Sequence, residues 1–201
     1  MADNTASRTR SQYSRKGVVM KTVLLLTLVL MLGASMAFAQ AGTIGIYSDP
    51  TGTSCNLTAT PGLVFYYFLH VNTTGARVSA WAAPAPTCFP ATYLGYFAED
   101  PYWLCIGDPE SGISISYGGV CHVGTFVILK AIYNVLEPAT DCCLWSVGPH
   151  PAFGTIDAAD CDFNTVHPSG DYGIINSTPA CPCGAVPTED TTWGQVKALY
   201  E

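Results

Sequence analysis

Short apolar runs separated by turn-forming residues fill the chain from about residue 40 onwards. The runs are rich in Val, Ile, Tyr and Phe, and Gly, Pro, Asp and Asn stand between them. This alternation is typical of antiparallel β proteins. It predicts ten strands, at Thr43–Ser48, Cys55–Ala59, Leu63–Val71, Val78–Ala82, Tyr93–Phe97, Ile113–Tyr117, Val123–Tyr133, Leu144–Val147, Gly154–Asp157 and Gly173–Asn176.

Two of these runs, at 62–71 and 124–136, are almost continuously apolar. Such runs are more typical of central strands, which have both faces covered, than of edge strands, which have one face exposed to water. The second run has a helical alternative, because Phe126, Lys130 and Tyr133 fall at helical spacing. Its β-branched and aromatic content favours a strand. We therefore expect both runs to form the core of a two-sheet sandwich.

Residues 1–39 have the parts of a cleavable secretory signal in the usual order. The apolar run VLLLTLVLML holds about ten residues. That length suits a signal peptide, which needs about 7–15, and is too short for a membrane-spanning helix, which needs roughly 20. Small side chains at Ala37 and Ala39 predict cleavage before Gln40, and cleavage after Ala41 is the alternative.

Lys16 and Lys21 form the positive flank of this signal. Residues 1–19 are polar and basic, whereas Met20 and Lys21 followed directly by the apolar run make a compact signal. We therefore predict that Met20 is the true start of translation. The alternative is a long amino-terminal region that begins at Met1.

Export changes the charge of the protein. Residues 1–39 contain five of the eight basic residues and one of the fifteen acidic residues, so three basic and fourteen acidic residues remain, a formal charge of −11. Binding to nucleic acid needs clustered Lys and Arg, which this sequence lacks. Nucleic acid is therefore not an expected partner, and we expect contact with a membrane only during export. Residues 40–184 suit a single β-sandwich domain.

All nine cysteines follow the predicted cleavage site, where an exported chain meets oxidising conditions. The odd count predicts four disulfides and one leftover thiol. We expect Cys105, inside an apolar run, to be free, and the adjacent Cys142 and Cys143 to reach different partners. A metal site built from this doublet, the CPC segment and His122 is the alternative, although C-x-x-C spacing is missing. The pairing stays open among eight candidates, Cys55, Cys88, Cys121, Cys142, Cys143, Cys161, Cys181 and Cys183.

The segment DCDFN carries the strongest signal for a metal. Asp160, Asp162 and Asn164 alternate as oxygen ligands do in calcium loops, Asp157 precedes them, and Asp171 falls at the twelfth position. The fit is partial, because the sixth position is not Gly and the twelfth is not Glu. An acidic turn beside a disulfide is the alternative. We expect no other cofactor.

Aromatic residues near Glu99 and Asp100 form a candidate ligand-binding site. Tyr96, Tyr102 and Trp103 could stack on sugar rings, as aromatic platforms do in carbohydrate-binding sandwiches. Packing in the core and in one loop is the alternative.

Catalytic signatures are missing from the sequence. No segment matches a nucleophile elbow, a zinc-protease helix, a phosphate-binding loop or a dinucleotide fingerprint. Catalytic triads assemble from distant residues. The histidines His70, His122, His150 and His167 therefore leave a secreted hydrolase with a non-local catalytic site as an alternative function.

The carboxyl end departs from the β pattern. Residues 185–201 form a Pro-led tail in which Thr192 can cap a short helix. Trp193, Val196 and Tyr200 would share one apolar face of that helix. A helix this short is marginal alone in water, so we expect the tail either to dock on another surface or to stay disordered.

Several segments resemble a group of uncharacterised secreted bacterial proteins. They are GTIGIYSD at 42–49, APAPTCFP at 83–90, the cysteine doublet, CPCG at 181–184 and the ending VPTEDTTWGQVKALY. Members of that group end in a similar T-W-G-x-[VI]-K-A-L-[YF] segment and bring no assigned activity. The resemblance implies a bacterial exported protein whose tail is a sorting or docking element; the rival role is closure of the sandwich.

Together these patterns predict an all-β fold, a disulfide-stapled antiparallel β-sandwich of the immunoglobulin- or cohesin-like kind with a short C-terminal helix. We expect a secreted or cell-surface structural or binding module. Its partner would be a protein or a glycan at the cell surface, and fold analogy alone does not identify it.

Overall fold

The structure is a computed structural model that describes residues 41–183 of the 201-residue chain. Within this range the protein is all-β, and no helix is long and apolar enough to cross a membrane. The thirteen strands are β1 Thr43–Tyr47, β2 Asn56–Leu57, β3 Gly62–Ala76, β4 Val78–Trp81, β5 Ala91–Ala98, β6 Leu104–Asp108, β7 Gly112–Ser116, β8 His122–Val135, β9 Cys143–Ser146, β10 Asp157–Ala159, β11 Thr165–Val166, β12 Ser169–Gly170 and β13 Tyr172–Ile175.

The first layer is a five-stranded sheet in the order β12-β1-β3-β8-β5. Its centre is the long antiparallel pair β3 and β8, which are the two continuously apolar runs of the sequence. The prediction that the second run is a strand is therefore confirmed. Strand β5 pairs with the other side of β8.

The second layer contains two sheets. One has the order β11-β10-β4-β7-β6 and the other β2-β13-β9. They are joined by an antiparallel bridge in which the Ala82 and Gly148 N–H groups donate to each other's carbonyl oxygens, at 3.1 and 2.7 Å. The short pairs β1 with β12 and β13 with β2 are parallel, and the other pairs of named strands are antiparallel, as the sequence predicts.

The core lies between the layers and is dominated by aromatic rings. Tyr66 and Phe68 of β3 point inward because alternate residues of a strand face the same side. The Trp145 ring packs edge-on against both, with centroids 5.5 Å from Tyr66 and 6.2 Å from Phe68. From β7, Ile113 and Ile115 are fully buried.

Four disulfides connect the strands and loops, and the predicted count is confirmed. Cys105 is the free cysteine. Cys143 is bonded to Cys88 and its neighbour Cys142 to Cys181, so the doublet reaches two partners as expected. The four bonds are Cys55–Cys183, Cys88–Cys143, Cys121–Cys161 and Cys142–Cys181.

Some predicted strands are displaced or absent. The predicted strand at 154–157 is mostly a turn, and β10 begins only at Asp157. Strand β6 was not predicted. Its outward residues Leu104 and Ile106 are apolar, so the alternation of polar and apolar residues that indicates a half-exposed strand is missing. The predicted tail helix, with Trp193, Val196 and Tyr200, lies outside the described residues.

Candidate functional site

The outer surface of the first layer carries a group of exposed apolar side chains. Strand β3 alternates, so that Tyr66 and Phe68 enter the core while Leu63 and Phe65 point outward. The outward side chains are 63% and 44% exposed. A strand with apolar residues on both sides needs cover on both sides to bury them, and within residues 41–183 the part of β3 at Leu63 and Phe65 has cover only on its inner side.

The neighbouring strands extend this surface. In the sheet register, Phe65 stands opposite Ile132 of β8, and Ile132 stands opposite Gly95 of β5. Leu94 and Phe97 of β5 are 55% and 62% exposed. We use the name apolar face for one set of outward side chains, Leu63, Phe65, Leu94, Phe97, Ile132 and Lys130.

A single cation lies within the apolar face. The Lys130 Nζ is 4.9 Å from the centroid of the Phe65 ring, a cation–π distance. Gly95 stands beside it in a β-bulge with a φ of 138°, and an added Cβ there would meet nothing within 4 Å. The face therefore carries one positive charge, at Lys130, and has open space above Gly95.

The loop between β1 and β2 covers only one end of this outer surface. A Cβ added at Gly52 would lie 2.9 Å from Leu69 Cδ2, and Leu69 is fully buried. The Asp49 carboxylate holds the loop by accepting hydrogen bonds from the N–H groups of Thr51 and Ser54, at 2.9 and 2.7 Å. Burial alone would raise the pKa of Asp49, but hydrogen bonds from the Thr51 hydroxyl and from nearby backbone N–H groups outweigh it and lower the pKa to about 2.

The prediction that the long runs have both faces covered is therefore wrong within the described residues. The sequence shows only that both sides of β3 are apolar. The prediction that both sides are buried assumed that other parts of this domain cover them. Leu63, Leu94 and Ile132 were consequently not recognised as surface residues. The sequence signal for this surface is the missing polar alternation in 62–71, which does not distinguish an exposed apolar side from a covered one.

The outer surface of the second layer has a different character. Leu104 and Ile106 of β6 are exposed there. Their partners in the register, Ser116 and Ser114 of β7, are polar. The apolar stripe on this side is therefore one strand wide.

The predicted calcium ligands do not converge. The Asp160 carboxylate accepts hydrogen bonds from the N–H groups of Asp162 and Asn164, at 2.9 and 2.8 Å, so it closes its own turn. Asp157 instead contacts His167, 2.8 Å from its Nδ1. Asp171 lies in the other part of the fold and accepts from the Tyr47 hydroxyl at 3.2 Å. A calcium site here stays a prediction, which melting with and without millimolar calcium tests.

The three predicted ligand-binding aromatics have different environments. Tyr102 is exposed, whereas the neighbouring Trp103 ring packs inward, 4.7 Å from the ring of Tyr117. The Tyr96 hydroxyl donates to the Gly107 carbonyl at 3.2 Å and so links β5 to β6. Trp103 therefore packs against the core, which is the alternative interpretation of this aromatic group.

The four histidines do not assemble a hydrolase site in residues 41–183. The ring of His70 is fully buried, with Nε2 2.7 Å from the Ala41 carbonyl oxygen. His150 stacks on Phe153 at 4.6 Å. No histidine nitrogen in this range is hydrogen-bonded to a serine or cysteine side chain, so the hydrolase alternative has no support in the part of the chain that the structure describes.

Comparisons with solved structures find cohesin modules among the chains that resemble this one. No protein-family model matches the sequence, and no curated protein matches it. One similar structure is the cohesin module of a family 33 glycoside hydrolase from Clostridium perfringens, with a TM-score of 0.44, 10% identity and coverage of 67% of this chain and 98% of that one.

Two further cohesins show the same degree of likeness. The sixth cohesin of scaffoldin B from Acetivibrio cellulolyticus, in complex with a dockerin, has a TM-score of 0.47 and 12% identity, and covers 68% of this chain and 98% of that one. A non-cellulosomal cohesin from Archaeoglobus fulgidus has a TM-score of 0.46 and 10% identity, with coverage of 69% and 91%. At these identities and TM-scores, the likeness assigns neither a family nor a function to this chain.

Proposed function

We propose that this chain is an exported, disulfide-stapled protein-binding module whose apolar face docks on a partner protein outside the cytoplasm. The observation that carries the proposal is the contiguous, outward-facing set of Leu63, Phe65, Leu94 and Phe97. Single exposed apolar residues are normal on proteins, whereas contiguous apolar patches mark interaction surfaces. The four disulfides suit the oxidising compartment that export implies.

The chemistry of the face favours a protein over a glycan. Leu63, Leu94 and Ile132 are aliphatic and offer no hydrogen bonds, whereas sugars are recognised through hydrogen bonds and aromatic stacking. Protein interfaces have an apolar, aromatic core that excludes charge. Burying one Leu or Phe side chain stabilises a complex by about 1.5–3 kcal/mol, so a few of these residues supply the hot spot of an interface.

Lys130 adds a preference for the partner's charge. Its ammonium group lies over Phe65 in the middle of the face, and no acidic side chain of the described residues is paired with it. A carboxylate on the partner would pair with this cation as both are removed from water. The partner therefore presents an apolar surface with an acidic residue near its centre.

The test is site-specific crosslinking followed by affinity measurement. A photo-crosslinking phenylalanine at position 97 should capture a partner on the surface of the producing cells, and the same group at position 106 should not. The partner, once purified, should bind the wild-type protein, and Phe97→Asp should weaken binding by more than about tenfold.

Ile106→Asp is the matched control, because Ile106 is 66% exposed, apolar and on an edge strand of the other layer. If Ile106→Asp abolishes binding and Phe97→Asp leaves it intact, the proposed face is wrong.

A third outcome distinguishes binding of a partner protein from cover of the face by the protein's own tail. On a free surface Phe97→Asp should change the free energy of unfolding by no more than about 0.5 kcal/mol. A loss above about 2 kcal/mol, abolished by deleting residues 185–201, would show that the tail covers the face and that its role is closure of the domain.

A further inference from the structure

A groove opens in the second layer beside the bridge between Ala82 and Gly148. It has a volume of about 330 Å³ and lies between the chain that leaves β4 and the chain of β9 and its following loop. Its walls are mainly apolar and include four prolines, which have no N–H to offer a ligand. The lining includes Pro84, Pro86, Pro149, Pro151, Leu144 and Glu110.

Glu110 supplies the one carboxylate of this groove. It belongs to the turn between β6 and β7, and two neutral donors fix it in place. The Tyr133 hydroxyl donates to Oε1 at 2.7 Å, and the Ala85 N–H donates to Oε2 at 3.0 Å. Burial and the neighbouring carboxylate raise the pKa of Tyr133, so its hydroxyl keeps the proton that it donates. Since a carboxylate has about four acceptor positions, Glu110 retains capacity to accept further hydrogen bonds.

No cation of the described residues compensates Glu110. Arg77 and Lys130 are the Arg and Lys side chains between 41 and 183. Arg77 donates from Nε to the Cys161 carbonyl at 2.9 Å and from Nη1 to the Gly119 carbonyl. Lys130 lies over Phe65 on the first layer. A half-buried carboxylate that accepts hydrogen bonds but has no Lys or Arg partner is available to pair with a cation from another molecule.

We propose that this groove is a subsite for one cationic side chain, of Lys or Arg, carried by an exposed segment of a partner protein. The aliphatic stem of that side chain lies against the prolines and Leu144, and its charged end binds Glu110. Stems of Lys and Arg pack on apolar surfaces in this way while the charged end stays polar. The subsite does not depend on the apolar face, so the two proposals are tested independently.

The test uses small probes and nuclear magnetic resonance. Nα-acetyl-arginine N-methylamide and its lysine counterpart are titrated into the protein at neutral pH, and the norleucine counterpart serves as the neutral probe. The reporters are the Ala85 amide, which donates to Glu110, and the Trp145 indole N–H, which donates to the Ala83 carbonyl at 3.1 Å. We expect saturable shifts of both reporters with the cationic probes, and about tenfold weaker binding of norleucine.

Glu110→Gln should remove the preference for the cationic probes, whereas Glu137→Gln, at an exposed loop carboxylate, should leave it unchanged. If Glu110→Gln does not fold, Leu144→Arg replaces it, because Leu144 is exposed and an arginine there occupies the groove. That variant should lose binding of both cationic probes. Equal binding of norleucine, a preference that survives Glu110→Gln or Leu144→Arg, or no saturable shift at the two reporters each overturns the proposal.

Discussion

The rings of Phe68 and Trp81 are stacked across the interior, with centroids 4.9 Å apart and planes inclined by 19°. Phe68 belongs to β3 of the first layer and Trp81 to β4 of the second, so this pair ties the two layers together. Both side chains are fully buried.

Trp81→Ala should therefore be strongly destabilising. Removing a buried tryptophan loses its transfer free energy and leaves a cavity, and we expect the free energy of unfolding to fall by about 3–5 kcal/mol. Urea unfolding monitored by circular dichroism measures this. Tyr102→Ala, at an exposed ring, is the control and should change stability by no more than about 0.5 kcal/mol. A loss below about 1 kcal/mol for Trp81→Ala would contradict the packing described here.

Gly75 is predicted to be indispensable for one disulfide. A Cβ at this position would overlap the Sγ of Cys161 and lie 3.0 Å from the Sγ of Cys121. Gly75→Ala should therefore prevent the Cys121–Cys161 bond from forming in its present geometry, and we expect three free thiols in place of one. Maleimide labelling of the denatured, unreduced protein counts them. Gly148→Ala is the control, because the nearest atom to its added Cβ is at 4.0 Å; an equal thiol count in both variants would refute the prediction.

The wild-type protein should carry one thiol, at Cys105. This residue lies on edge strand β6 in a partly buried position, and burial raises the pKa of its thiol. We expect little labelling in the folded protein near neutral pH, because the thiolate is the reactive form. One equivalent should be labelled after denaturation, and none in Cys105→Ser. Two or more equivalents in the wild type would show that a disulfide assigned here is not formed.

Acid should destabilise the protein through His70. Burial lowers the pKa of His70, although its hydrogen bond to the Ala41 carbonyl opposes this in part. Its Nδ1 is buried without a partner in the described residues. The unfolded chain takes up the proton near pH 6.5 and the folded chain only at lower pH, so this contribution to stability is complete above about 6.5 and is lost as the pH falls below it.

The measurement is the free energy of unfolding between pH 7.5 and 5, above the range in which most carboxylates titrate. The wild type should lose stability across this interval, and His70→Phe should show a flatter dependence. His150→Gln, which changes a histidine stacked on an exposed loop phenylalanine, should retain the wild-type slope. An unchanged slope in His70→Phe would assign the pH dependence to another group.

Local patterns in the sequence predicted much of the fold. The run of β-branched and aromatic residues around Phe126 identified β8 correctly, because a strand buried on one side and paired on both edges is encoded within its own residues. The separate partners of Cys142 and Cys143 were predicted for a similarly local reason, since adjacent cysteines rarely bond to each other.

The surfaces were not predictable in the same way. Whether Leu63 and Phe65 are exposed depends on whether another segment covers them. The hydrophobicity of these two residues is the same in both cases. The groove at Glu110 brings together segments near 84, 110, 144 and 150, which are distant along the chain. Its carboxylate is distinguished by the Tyr133 hydroxyl and the Ala85 N–H, two contacts that no spacing in the sequence reveals.

The bond between Cys55 and Cys183 encloses almost the whole described chain, with a sequence separation of 128. Every peptide bond between these two cysteines lies inside that covalent ring. A protease that cuts once anywhere within it releases no fragment, because the two pieces stay joined through the sulfur atoms. In an environment rich in extracellular proteases, a single nick in an exposed loop therefore leaves the sandwich, its apolar face and its groove in one molecule.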